Sequence, residues 1–136
     1  EIIDEYPLSD AANLSNFYAG SSYLKLGNYN NAIKYLKEFS SSDLLIQARA
    51  YSLIGDAYVE LQEFENSINY FKKASNETPN EFFTPSYLLK LALVYEEIND
   101  LESALVSYER IIEDFKESPE YQLSLKNKTR IEGLLL

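Results

Sequence analysis

The chain of 136 residues contains no cysteine and no histidine, and only four glycines and four prolines. Without thiols or imidazoles there is no disulfide, no thiolate nucleophile, no imidazole base and none of the usual ligand sets for zinc or iron. Most enzyme chemistry leaves with them. Low Gly and Pro beside 46% hydrophobic residues excludes a collagen-like or a disordered chain. Apolar runs extend for only a few residues, so no segment can insert into a membrane as a helix. Positive charge is scarce as well: 12 Lys and Arg stand against 22 Asp and Glu, a net charge of −10. Such a chain repels nucleic-acid phosphates and anionic lipid surfaces, so nucleic acid is not an expected partner. What is left is one globular domain's worth of sequence. Opening on Glu1 with no signal-peptide pattern, it reads as a piece of a longer protein. The absence of cysteine fits a reducing cytoplasm and a periplasm equally.

What is present is repetition. The positions Tyr51, Ile54, Gly55, Tyr58, Phe64, Ser67, Phe71 and Ala74 recur upstream at an offset of 35, as Asn16, Ala19, Gly20, Tyr23, Tyr29, Ala32, Leu36 and Phe39. They recur downstream at an offset of 37, as Leu88, Leu91, Ala92, Tyr95, Leu101, Ala104, Tyr108 and Ile111. Each copy opens on i, i+3, i+4, i+7, one face of a helix, and a second helix follows. The polar connections at Leu26-Gly27-Asn28, Leu61-Gln62-Glu63 and Ile98-Asn99-Asp100 are short enough to force antiparallel hairpins. Small residues at 20, 55 and 92 facing 32, 67 and 104 let the paired backbones approach closely. Asn28 and Asp43 are expected helix N-caps, as are Thr84 and Ser118, each followed by proline.

With Gly or Ala followed by Tyr at 20/23, 55/58 and 92/95, the sequence resembles the tetratricopeptide repeat family. The resemblance spans about residues 13 to 118 and is closest in the middle copy, which also has the closing Pro79. It implies an all-α, right-handed superhelical solenoid of antiparallel helix pairs. The expected units are about 13–46, 48–81 and 85–118, with 119–136 a closing helix bearing Leu123, Ile131, Leu134 and Leu135, and 1–8 the tail of a preceding repeat. The stretch Tyr6-Pro7-Leu8-Ser9-Asp10-Ala11-Ala12 is also similar to bacterial cell-envelope members, the outer-membrane assembly lipoproteins and the translocon-associated membrane-anchored subunit. That similarity implies a periplasmic domain anchored through an upstream segment.

Carboxylate pairs one helical turn apart, Asp56 with Glu60, Glu96 with Asp100 and Glu109 with Glu113, could hold calcium or share a proton. No Asp-rich loop accompanies them, and a solvated acidic face explains them better. The tyrosines and phenylalanines at 23, 58, 71, 95 and 108 fall on inward faces and read as core. No cofactor and no metal are expected, and no catalysis.

In family members the first helices line a concave groove. Carried over, its residues are Leu14, Phe17, Ser21, Leu24 and Lys25, then Arg49, Ser52, Asp56, Val59 and Glu60, then Ser86, Leu89, Leu93, Glu96 and Glu97. The resemblance therefore implies a non-catalytic scaffold whose groove takes a protein or peptide with an apolar face and basic residues. The alternative is a self-association module, a homo-oligomer filling its own groove and open edge. One branch of the family clamps acidic chaperone tails with Lys and Asn. The corresponding places here hold Phe17, Ser21, Arg49, Leu53 and Lys90, so an acidic tail is not the expected ligand.

Overall fold

Helical periodicity broken by short polar turns produces seven α-helices in the computed structural model, which describes residues 10–136. They are α1 (Asp10–Lys25), α2 (Tyr29–Glu38), α3 (Leu44–Glu60), α4 (Phe64–Glu77), α5 (Thr84–Glu97), α6 (Leu101–Asp114) and α7 (Tyr121–Leu134). Among the described residues there is no strand. The reading of residues 1–8 as the tail of an earlier repeat lies outside the described residues.

The three hairpin turns are built alike. Gly27, Gln62 and Asn99 take positive φ, 79°, 59° and 62°. Each turn then closes with the same bond, from Asn28, Glu63 and Asp100 N–H to the carbonyls of Tyr23, Tyr58 and Tyr95, at 2.9, 2.9 and 2.8 Å. This Schellman arrangement satisfies carbonyls that a helix end would otherwise leave bare. Gly27 adopts it freely, whereas Gln62 carries a left-handed cost of about 1–2 kcal/mol. The residue after each turn starts the next helix. Asn28 caps α2 by accepting from Asn31 N–H at 3.4 Å, and Asp100 caps α6 by accepting from Ser103 N–H at 3.1 Å.

Between hairpins, Asp43 caps α3 through Leu45 and Ile46 N–H, as expected. Thr84 and Ser118 do not cap as expected. The turn before α5 is held by Asn80, whose side chain accepts from Phe82 and Phe83 N–H while its own N–H donates to Thr84 Oγ. Ser118 Oγ instead donates to the Phe115 carbonyl, and α7 starts three residues later. At the other end of the chain, Asn13 ties the start of α1 to the end of α2, bonding both the N–H and the carbonyl of Ser40.

Close approach explains the small residues. A methyl placed on Gly55 would sit 2.6 Å from the Phe71 ring, and one on Gly20 would sit 2.5 Å from Leu36. Phe71 shares the larger core with Leu88, Tyr95, Tyr108, Ile111 and Ile131, while Leu36, Ile54 and Tyr58 anchor a second core at the first hairpin. Packing runs almost entirely between helices consecutive in sequence. The closing helix docks through Ser124, Asn127 and Ile131, all buried. Of the four apolar residues expected to close the array, only Ile131 is buried, and Leu123, Leu134 and Leu135 are exposed. The 124, 127, 131 face packs on α6, and beside it Arg130 bonds Glu96 of α5 at 2.8 Å while Glu96 accepts from the Tyr108 OH of α6 at 2.7 Å.

Candidate binding groove

The first helix of each hairpin presents one face to a common surface, and two adjoining hollows form along it. One, of about 420 Å³, brings together Leu24 of α1, Asp56, Val59 and Glu60 of α3, and Leu93 of α5. The second, of about 370 Å³, shares Val59, Glu60 and Leu93 and adds Glu97 with Phe64 and Gln62. Six of the fifteen groove residues read from the sequence are thus assembled at one place. Arg49 lies apart, beside a smaller hollow of about 230 Å³ with Leu45, Ile46, Phe83 and Tyr87.

The others are placed differently. Phe17 packs against the Phe39 ring, centroids 5.1 Å apart, and against the first-hairpin core. Leu89 packs against the larger core, and Ser52 is buried with its hydroxyl 3.3 Å from the Lys90 ammonium. Glu96 faces Arg130 instead of the groove. Leu14 and Lys25 are exposed, and Ser21 and Ser86 are half-buried, outside these hollows.

Residues outside those fifteen complete the floor. Lys90 crosses from α5 to both Asp56 oxygens at 3.0 Å. Phe71 and Val94 supply apolar wall, and Tyr29, at the start of α2, reaches over to Glu60 at 3.5 Å. Lys90 had a signal: it stands one helical turn after Ser86 on the same face of α5. The Tyr29 and Phe71 contributions had none, because they come from the second helices.

Electrostatics sorts the four rim carboxylates into two kinds. Asp56 is held by Lys90, and burial still pushes its carboxyl above the usual carboxylate range, outweighing the pull of that ammonium. Glu96 is bonded to Arg130 and Tyr108. Glu60 and Glu97 have no cation within 4 Å among the described residues. The groove is therefore an apolar trough of Leu24, Val59, Leu93 and Val94, with a neutralised pair at its middle and, on its edge, two carboxylates that no cation within 4 Å neutralises. Among the described residues no cluster of three acidic side chains could hold a metal ion. Of the Asp56–Glu60 pair, Asp56 is engaged by Lys90.

Comparison with known proteins places the hairpins in context. Models described as tetratricopeptide repeat match residues 15–43, 48–81 and 86–118, well over half of the chain. No curated protein sequence matches. Among solved structures, MamA is 23% identical with a TM-score of 0.72, the alignment covering 97% of this chain and 72% of that one. The N-terminal domain of stress-induced protein-1 from C. elegans is 17% identical with a TM-score of 0.76, covering 90% and 95%. The first repeat domain of Spaghetti (RPAP3), solved bound to the HSP90 peptide SRMEEVD, is 19% identical with a TM-score of 0.71, covering 94% and 96%. At these identities the likeness is one of fold.

Proposed function

This chain belongs to the tetratricopeptide repeat family, and from that premise we propose that it is a non-catalytic interaction scaffold that holds a basic, amphipathic segment of a partner protein in its groove. The observation that carries this reading is Leu93, 50% exposed on α5, set beside Leu24 and Val59 with the unopposed Glu60 and Glu97 at the edge. An apolar anchor supplies most of the affinity in such a site, and rim charges set rate and selectivity. The structurally similar RPAP3 domain carries an acidic peptide. Here the groove lysine, Lys90, is already engaged by Asp56, and a net charge of −10 opposes an acidic tail. The ligand class of this chain is accordingly the reverse.

Peptide arrays probed with wild type, Leu93→Ala and the double variant Glu60→Lys/Glu97→Lys test the reading. Bound sequences should carry Lys or Arg around an apolar residue. Leu93→Ala should weaken capture by about 1–3 kcal/mol at any salt, and the charge reversal should act mainly at low salt. Acidic sequences whose capture Leu93→Ala abolishes, or equal capture of basic sequences by all three proteins, would refute it.

A further inference from the structure

A different feature lies on the second helices. Lys37 and Lys72 stand 35 residues apart, and Lys73 and Arg110 stand 37 apart, the two repeat offsets. The repeat therefore sets these cations at one level across α2, α4 and α6. Two hollows, sharing no residue with those of the groove, open beside them. One, of about 430 Å³, has Lys37 at its edge with Tyr51, Tyr70 and Phe39. The other, of about 420 Å³, has Lys72 and Arg110 beside Leu88, Tyr95 and Val106.

Three of the four cations are held without acidic partners. The Lys37 ammonium donates to Tyr58 OH at 2.8 Å and lies 5.6 Å from the Tyr70 centroid. Lys73 lies 4.7 Å from the same ring and 5.5 Å from that of Tyr51. Among the described residues none of Lys37, Lys72 and Lys73 has a carboxylate within 4 Å, in a chain where acidic residues outnumber basic ones 22 to 12. Arg110 bonds Asn76 at 3.1 Å and reaches Asp114 only at 3.9 Å. Tyrosine faces orient such ammoniums while leaving N–H groups free to donate.

We propose that this surface is a second docking site, for an acidic segment of a partner protein that seats apolar side chains in the two hollows and carboxylates on Lys37, Lys73, Lys72 and Arg110. Charge complementarity selects the occupant. Three lysines without a carboxylate within 4 Å, and Arg110 with Asp114 at 3.9 Å, make a run of cations too short for the phosphates a nucleic acid presents, and the rest of the acidic surface repels a polyanion. Hollows of this size beside the run fit side chains, which a phosphate backbone does not offer.

The probe is a fluorescein-labelled peptide of about twelve residues, glutamate with two leucines, followed by anisotropy at about 50 and about 300 mM salt. A matching lysine peptide and a labelled oligothymidylate run alongside, with light scattering of the protein alone. The glutamate peptide should bind. The pairs Lys37→Met/Lys73→Met and Lys72→Met/Arg110→Met should each weaken it by about tenfold or more, with helicity unchanged. Glu60→Gln/Glu97→Gln should leave it unchanged, which separates this site from the groove. Failure of the glutamate peptide to bind, loss-free binding by both lysine-site pairs, tighter binding of the oligonucleotide, or a homo-oligomer that these substitutions dissolve would each overturn the proposal.

Discussion

A methyl group on Gly55 is the sharpest test of how the hairpins close. Built on the backbone, it would meet three Phe71 ring carbons at 2.6, 2.7 and 2.9 Å, where carbon atoms settle at about 3.5–4.0 Å. The ring must retreat by about 1 Å, yet Phe71 is only 1% exposed and packs into the core formed with Leu88 and Tyr95. Overpacking of this kind costs about 1–3 kcal/mol. Alanine in place of glycine within a helix returns about 1 kcal/mol. Gly55→Ala should then lose up to about 2 kcal/mol net, or several degrees in Tm. Gly133→Ala, with no atom within 4 Å of the new methyl, should be neutral or slightly stabilising. Thermal and urea unfolding followed by circular dichroism measure both. In a double-mutant cycle, Phe71→Leu should relieve part of the Gly55→Ala cost, a coupling of at least about 0.5 kcal/mol. A Gly55→Ala protein that melts above wild type, or that shows no coupling to position 71, would refute the packing argument.

Alkaline titration reads the core from another side. Burial and the Glu96 carboxylate hold the Tyr108 hydroxyl neutral far above the ordinary tyrosine range, and a raised folded value means that its stabilisation is complete below about pH 10 and is lost as pH climbs. Ultraviolet titration should show one tyrosine ionising only with unfolding, and Tyr108→Phe should remove that step; its persistence would exclude Tyr108 as the source. Asp56, raised by burial, should titrate by NMR above 3.8, the ordinary value for its carboxyl, and a midpoint below it would mean that Lys90 dominates. Arg130→Met removes the bond to Glu96 at a screened cost on the order of 1 kcal/mol or less. It should speed hydrogen exchange in α7 before the other helices, and uniform acceleration would deny that bond its role in closing the array.

The parts of the fold legible in the sequence are those that repeat: hairpin turns, small-residue contacts and inward aromatics come from spacing within one unit. Even the substitution of Gln62 and Asn99 for the turn glycine left the turn intact, since the Tyr58 and Tyr95 carbonyls still demand the same closing bond. What could not be read depends on pairs from different units. Asp56 with Lys90, and Glu96 with Arg130, are each 34 residues apart, and these pairings decide which groove carboxylates are free. Phe17 falls on a groove position carried over from the family, but Phe39, in the linker after α2, offers it a ring to pack on. A Phe17→Ala change would therefore report on folding as well as binding. In α7 the leucines catch the eye, while the packed face is made of a serine, an asparagine and one isoleucine, because docking against α6 favours a close fit over bulk.

Because each helix leans almost entirely on its neighbours in the chain, the molecule resembles a row of linked beads whose ends can loosen while the middle holds. Such an array has little to make it melt in a single step. A segment seated along Leu24, Val59 and Leu93 touches three hairpins at once, and would act as a splint across joints that otherwise open one at a time. Occupancy should therefore register as a sharper melting transition as well as a higher one, so that the steepness of the curve itself reports whether the groove is filled.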